Sequence, residues 1–434
     1  MESAGNLIGD DATRGSEVRT RKPDRRQMVF LPCSLDDALT PEHPARVVWS
    51  VVQTLDLAGF REPIKAREGV AGREPADPSV LIALWLLASA EGVGSGRHLA
   101  ELCEHHAAYR WVCGGVSVNY HSLNDFRTGH RQALDELFTQ VLGRLTHAGL
   151  VQVQRITQDG TKVRASAGAG SFATRDTLAR HLADARQHVE ALGRLGDEAP
   201  AQAAQRQRAS QERVAADRLA RVTAALEELA KVEAAKAAQK DKPSKHRPAK
   251  ASSTDPQARM QKMPDGGFRP AYNVQSAQDP QSRAIVGVAV AADGSDKDQA
   301  QPMRQQVETR TGQHVEEHLV DGNYLTLDGV TDAAAAGVKL YAPVPKPRKQ
   351  GRDPYAPHPA DSPAVIEWRA RMNTAEGRTI YRQRSSTCET VNADLKTHRG
   401  LGPLLVRGAE KVLCVALWSA LAYNLIHFAR HLAA

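Results

Sequence analysis

Three carboxylates in this sequence could assemble a divalent-metal site: Asp159, Asp321 and Glu389. Asp159 ends the segment VQVQRITQD, Asp321 follows the short apolar run HLV, and Glu389 comes early in a helical stretch behind Tyr381 and Arg384. Carboxylates at the ends of two strands and on one helix can converge on one edge of a sheet. Hard divalent cations take such oxygen ligands and keep open positions for water and phosphate. Two ions about 3.5–4 Å apart can activate a water or a 3′-hydroxyl and stabilise the leaving oxygen of a phosphodiester. No covalent enzyme intermediate is needed. A plainer reading stays open on the residues alone: a strand-end aspartate commonly serves as a turn or cap residue, and three carboxylates can be picked from any chain with 50 acidic residues.

The elements that would position these groups can be read from periodicity. Residues 151–159 start with apolar and polar residues in alternation, which predicts a strand ending at Asp159, with Gly160 in a turn and residues 161–165 as hairpin partner. Further strands are expected at 272–276, at 284–291 (AIVGVAVA, continuous enough for a central strand), at 318–320 before Asp321, and at 338–344. Helices are expected at 326–336, 364–372, 385–396 and 409–430. The order predicts a mixed α/β fold, a sheet flanked by helices, carried by residues 151–174 and 254–434. An insertion splits it. In residues 175–235, Leu178, Leu182, Ala185, Val189 and Leu192, then Leu219, Val222, Leu226 and Leu229, recur in steps of three and four, as in an antiparallel helical hairpin turning at 196–200. Residues 236–253 read as a basic linker.

Ahead of the sheet, residues 28–150 read as an all-helical domain behind a flexible basic tail, 1–27. Pro78 opens PSVLIALWLLAS, apolar enough to be buried, and Ser122 to Asp125 resemble a capping box that opens another helix. Residues 121–131 (HSLNDFRTGHR) place Arg127 and Arg131 one turn apart, suited to a DNA groove; the packing of an ordinary helix is the alternative.

Composition bounds the rest. Lys and Arg number 57 against 50 acidic residues, and the pI is about 9.2, which permits a polyanionic partner without requiring one. Five cysteines with no CxxC pair argue against a disulfide framework or zinc knuckle and fit a reducing, cytoplasmic setting. No apolar leader or membrane-spanning run is expected. The richest stretch, 412–428, is broken by Trp418, Ser419, Tyr423 and Asn424 and reads as a buried core helix. Asn273 and Gln275 share one strand face and could orient a metal-bound water or a phosphate, or be polar edge residues. Asp296 and Asp298 read as a solvated loop.

Local contexts narrow the choice. DGTKVRA (159–165) and DGNY (321–324) resemble the first two acidic blocks of bacterial insertion-sequence DDE transposases, and YRQRSSTCETVNADLKTHRGL (381–401) resembles their Tyr–Arg–Glu–Lys signature. Tyr381, Arg384, Glu389 and Lys396 match it in order, with one more residue between Arg384 and Glu389 than its commonest form. Residues 254–275, the helical 35–145 and the C-terminal Arg407, Gly408, Lys411 and Asn424 also resemble the group. The resemblance implies an RNase H-like core that holds two Mg2+ or Mn2+ ions on Asp159, Asp321 and Glu389. It implies cleavage at element ends and strand transfer into target DNA, so the partner is double-stranded DNA, both terminal inverted repeats and target. It gives Lys396 and Tyr381 contacts to the transposon end. Arg384 suits a bidentate phosphate clamp, and the N-terminal helices, with Arg127 and Arg131, would read the repeats. A homodimer on DNA, nucleoid-associated and without membrane contact, is the expected assembly. Rival readings are a catalytically inactive or co-opted DNA-binding protein and an RNase H-like nuclease that never joins strands.

Overall fold

The computed structural model describes residues 34–66, 74–194, 202–238, 247–291, 294–346 and 353–432. The expected basic tail, the turn at 196–200 and most of the 240–250 basic run lie outside the described residues.

Seven helices open the fold: α1 (Pro44–Gln53), α2 (Ala58–Arg61), α3 (Pro78–Ala90), α4 (Gly96–His105), α5 (Ala107–Cys113), α6 (Tyr120–Gly129) and α7 (Arg131–His147). Helix α3 begins as its sequence requires, with Pro78 in the first turn and the Asp77 carboxylate accepting the Ser79 N–H. The start of α6 departs from expectation. Asn119 accepts the Ser122 N–H at 2.9 Å, so Asn119 is the cap and Ser122 lies inside the helix. That helix ends at Gly129, and Arg131 begins α7, so Arg127 and Arg131 do not share one helix.

Next come β1 (Arg155–Arg164), β2 (Phe172–Ala173), α8 (Arg175–Arg194), α9 (Gln202–Ala237), β3 (Ala251–Ser252), β4 (Arg259–Lys262), β5 (Phe268–Gln278) and β6 (Ile285–Ala291). The chain closes with α10 (Ala300–Thr311), β7 (Glu317–Leu319), α11 (Leu327–Ala335), β8 (Lys339–Tyr341), α12 (Pro363–Asn373), α13 (Ala375–His398), α14 (Ala409–His427) and α15 (Ala429–Leu432). Helices α8 and α9 pack as the expected hairpin around Leu178, Ala225 and Leu229. The pairing of β2 with β3 ties its base, so part of the expected linker is sheet.

In the mixed sheet, β1 lies between antiparallel β5 and parallel β7, β7 continues to parallel β8, and β5 also pairs with β4 and β6. This is the expected mixed α/β class, interrupted by the hairpin. The hairpin turn expected at Gly160 is absent: β1 runs unbroken through Asp159 and Gly160, paired with β5 along its length.

Helix α14 is long and apolar enough to cross a membrane by length and composition alone. Here it packs on α3, α6, α7 and β6 and buries nearly every residue from Val412 to Leu425. Each buried leucine contributes about 1.5–3 kcal/mol. Asn424 secures it to the sheet, accepting from the Ile285 N–H at 2.9 Å and donating to the Ile285 carbonyl at 2.8 Å. Trp418 Nε1 donates to the Arg127 carbonyl at 3.0 Å on the opposite side. One apolar cluster thus runs from the N-terminal helices through α14 into β1, β5 and β6. The N-terminal region is helical, as its pattern predicts, but it shares its core with the sheet.

Candidate active site

The parallel ladder between β1 and β7 pairs Thr157 with Leu319. Two residues beyond this pair lie Asp159, still within β1, and Asp321, past the end of β7, near enough that the Asp321 charge acts on the Asp159 carboxyl. Asp321 also caps the short turn Gly322–Tyr324, its carboxylate accepting the Gly322 N–H at 2.6 Å. The Asp159 carboxylate accepts the Gly160 N–H at 3.0 Å. Burial pushes the Asp159 carboxyl above the usual range. The Arg384 guanidinium and the Gly160 N–H oppose that shift, while the charges of Asp321 and Asp296 add to it.

Helix α13 covers this edge. Its sheet-facing residues step by three and four, as one helical face must. Arg384 forms an ion pair with Asp159 at 3.3 Å, Cys388 Sγ donates to Gln278 Oε1 at 3.1 Å, and Asn392 Oδ1 accepts the Ser276 hydroxyl at 3.0 Å. Tyr381 heads the same face; burial raises its phenol, Arg384 opposes the rise, and Asp321 and Asp159 add to it. Burial also pushes the Cys388 thiol up to about 12, so Cys388 stays a neutral packing residue.

The structure therefore brings Asp159, Asp321, Tyr381 and Arg384 together. It does not bring Glu389 to them. Glu389 follows Cys388 on α13 but is exposed, and among the described residues no group of three His, Cys, Asp or Glu side chains is close enough to hold a metal ion. Lys396 is half-buried near the end of α13, and among the described residues it makes no ion pair with Glu389.

The opposite face of β1 carries a buried polar cluster. Asn273 and Gln275 donate to Asp296 Oδ1 at 2.7 and 2.8 Å, Gln158 donates to Gln275 Oε1 at 3.0 Å, and the Tyr324 hydroxyl also donates to Gln275. Asp296, expected in a solvated loop, instead anchors that loop beneath β1. The shared face of Asn273 and Gln275 was legible; its role in holding Asp296 had no sequence signal. A side-chain carbon on Gly160 would meet Asp296 Oδ1, Gln275 Nε2 and Asn273 Oδ1, none more than 2.5 Å away. Gly160 is thus glycine because three polar side chains fill the space of its missing Cβ. Gly160→Ala is expected to lower stability by about 2 kcal/mol, from overpacking and disturbed hydrogen bonds. Urea unfolding measures this, and a variant as stable as wild type would contradict the packing described.

Two family models match the chain. One, described as a transposase DDE domain, matches residues 349–429 and so spans Tyr381, Arg384, Glu389 and Lys396; the other, described as a transposase domain (DUF772), matches residues 33–129. The two matches indicate an insertion-sequence DDE transposase. No curated protein and no solved structure matches it. Asp159 and Asp321 fall in the stretch of the chain between the two matches, where the sheet supplies their positions.

In the N-terminal helical region, Arg127 is 5% exposed. Its guanidinium lies 4.5 Å from the centre of the Trp85 ring and donates to the Gly94 carbonyl at 2.6 Å. Burial depresses its pKa to about 10. Its side chain therefore braces α3 against α6 and does not face solvent as a groove-reading residue would. Arg131 is half-exposed, 4.0 Å from Glu410.

Proposed function

We propose that the chain is a transposase that cleaves DNA at its element's ends and joins the freed ends to target DNA, with Asp159, Asp321 and Glu389 as the metal-binding carboxylates. The observation that carries the proposal is the juxtaposition of Asp159 and Asp321 at the end of a parallel ladder, under the helix that bears Glu389. Water adds to a phosphorus at the element's end, and the departing 3′ oxygen takes a proton. The resulting 3′-hydroxyl then attacks a target phosphodiester, exchanging one such bond for another.

The donor set fits a divalent cation in part. Asp159 and Asp321 supply hard oxygen ligands whose mutual charge repulsion a cation would relieve. Magnesium or manganese bound there would supply Lewis-acid activation of water and phosphate. Glu389 would complete the set by movement of α13. Until then Arg384 provides the positive charge beside Asp159. Tyr381 and Lys396, on the same helix, would contact the phosphates of the cleaved end.

The test is an assay of purified protein with its own element's end across a magnesium and manganese titration. Joined product flanked by a short target duplication is expected. Cleavage without joining would reassign the chain as a nuclease, and binding without cleavage would make it a regulator. A homodimer on the paired ends is part of the proposal and is read by the mass of the complex in solution.

Arg384 gives a separate handle. It is the strongest influence lowering the proton affinity of Asp159, so Arg384→Gln should leave that carboxylate protonated to higher pH. Mn2+ binding needs the ionised form, so the midpoint of its pH profile should move upward in the variant. Calorimetric titration of Mn2+ from pH 5 to 9 decides the matter; an unmoved midpoint would show that the ion pair does not control Asp159.

A further inference from the structure

Away from the carboxylates, a cavity of about 870 Å³ opens between α4, α6, α9 and the loop into α14, lined in part by Arg97, Arg221, Arg407 and Lys411. A smaller one of about 340 Å³ shares Arg221 and Arg407 with it and adds Arg218. Besides the buried Arg127, five cations line these two adjoining cavities, which together form a cleft: Arg97 from α4, Arg218 and Arg221 from α9, Arg407 from the loop, and Lys411 from the first turn of α14. Only two carboxylates line it, Asp125 and Asp217. Among the described residues none of the five cations forms an ion pair. Arg97, Arg218, Arg407 and Lys411 are exposed, and Arg221 is half-buried.

Two of these side chains are already aimed. The Arg97 guanidinium lies 5.0 Å from the centre of the Tyr120 ring, a cation–π contact that holds it beside the cleft. Arg407 Nε donates to the Ser166 carbonyl at 3.1 Å, which fixes its stem and leaves the terminal amino groups for an anion. Arg218 and Arg221 are three apart on α9 and share a face. Like charges drawn from four parts of the chain repel one another and add no stability of their own; a polyanion in the cleft would reverse that repulsion.

The position of the cleft suggests which polyanion. The Leu404 N–H donates to the Arg164 carbonyl at 3.0 Å, and Arg407 reaches Ser166, so the cleft adjoins the end of β1. From Asp159 to Arg164 the strand extends about 16 Å at 3.3 Å per residue. That is roughly five base pairs of duplex at 3.4 Å each.

We infer that this cleft grips the sugar–phosphate backbone of double-stranded DNA about five base pairs or more from the cut, with the α8–α9 hairpin as one wall of a clamp. The inference rests on the function proposed above and extends it by giving the insertion a task. Contacts of this kind carry affinity without sequence preference.

The experiment uses the full-length protein and a fluorescent duplex bearing the element's end, in EDTA so that no cleavage occurs. Anisotropy is measured across a salt series for wild type and for Arg218→Ala/Arg221→Ala. Loss of two phosphate contacts should weaken binding at least about tenfold and reduce the salt-dependence slope by about two. Arg97→Ala/Lys411→Ala, on the other walls, should do the same and guards against a folding defect in α9. Wild-type affinity and slope in both double variants would overturn the clamp, even if the wild-type enzyme cuts and joins DNA normally. A wild-type protein that neither binds nor cuts the end would overturn the proposed function and the clamp with it.

Discussion

Asp159→Asn is expected to leave duplex binding unchanged while reducing cleavage and joining by roughly three orders of magnitude, and Asp321→Asn and Glu389→Gln are expected to match it. Each change keeps the shape of the side chain and removes the negative charge that would hold a cation. The stabilisation such a cation gives a phosphoryl transition state is several kcal/mol, and each 1.36 kcal/mol is tenfold in rate. Binding should survive because the five exposed or half-buried cations proposed to grip the duplex line the cleft between α4, α9 and α14, away from the three carboxylates. The two steps should fall together, since one set of carboxylates would serve both. Separate quantification of nicked and joined strands, with anisotropy as the binding control, gives the answer. Full activity in any one of the three variants would remove that residue from the site.

Glu389 makes this more than a routine knockout. On a helix of 3.6 residues per turn, positions five apart differ by about 140° in direction and 7.5 Å along the axis. Arg384 and Glu389 are five apart, and Arg384 faces Asp159. The same face of α13 therefore cannot present both. With one residue fewer between them, as in the commonest form of the signature, they would differ by about 40° and could act together. In this chain the extra residue sets them out of phase, and that accounts for an exposed Glu389 beside a paired Arg384. A complete carboxylate set requires α13 to turn or slide, exchanging the guanidinium at Asp159 for the Glu389 carboxylate and the cation it would help to hold.

Much of this was legible from residue order. The strands at 272–276 and 284–291, the hairpin at 175–235 and the closing apolar helix all follow from periodicity and were found within a few residues. What escaped was set by tertiary contact. Gly160 looks like a turn because glycine usually marks one, and only the neighbouring Asn273, Gln275 and Asp296 reveal a space requirement inside a strand. Helix α10 went unforeseen because AQPMRQQVETRT has little apolar pattern; it buries Met303, Arg304 and Val307. Arg127 looks like a groove-reading cation until Trp85 and Gly94 enclose it. At the site itself, Asp321 was legible as a strand-end acid and the α13 signature by its order, whereas Asp159 was legible as an acid on a strand but lies inside β1 and not at its end. The phase of Arg384 against Glu389 depends on which face of α13 meets the sheet, and spacing alone does not give that face.

Acid should unfold this protein partly through one histidine. His318 lies in β7 between β1 and β8, fully buried, and neither ring nitrogen has a hydrogen-bond partner. Burial, followed by the charge of nearby Arg304, pushes its pKa from 6.5 down to about 3. Between those values the unfolded chain takes up a proton that the folded chain refuses, so stability falls as pH drops through this window. The slope is about 1.4 kcal/mol per pH unit, or roughly 2–3 kcal/mol lost by pH 4.5. Asp159 and Asp255 act in the opposite sense. Burial raises both carboxyls, so the folded state gains relative stability as pH falls through their titration. The contribution of His318 must therefore be read as a difference between two proteins. His318→Leu, similar in volume and without stranded polar atoms, should equal or exceed wild-type stability at pH 7. At pH 4.5 its advantage should be about 2–3 kcal/mol larger. Urea unfolding at both pH values measures the difference. An equal loss of stability in the two proteins would mean that the imidazole accepts its proton in the folded state, and that β7, which positions Asp321, is less tightly enclosed than its burial indicates.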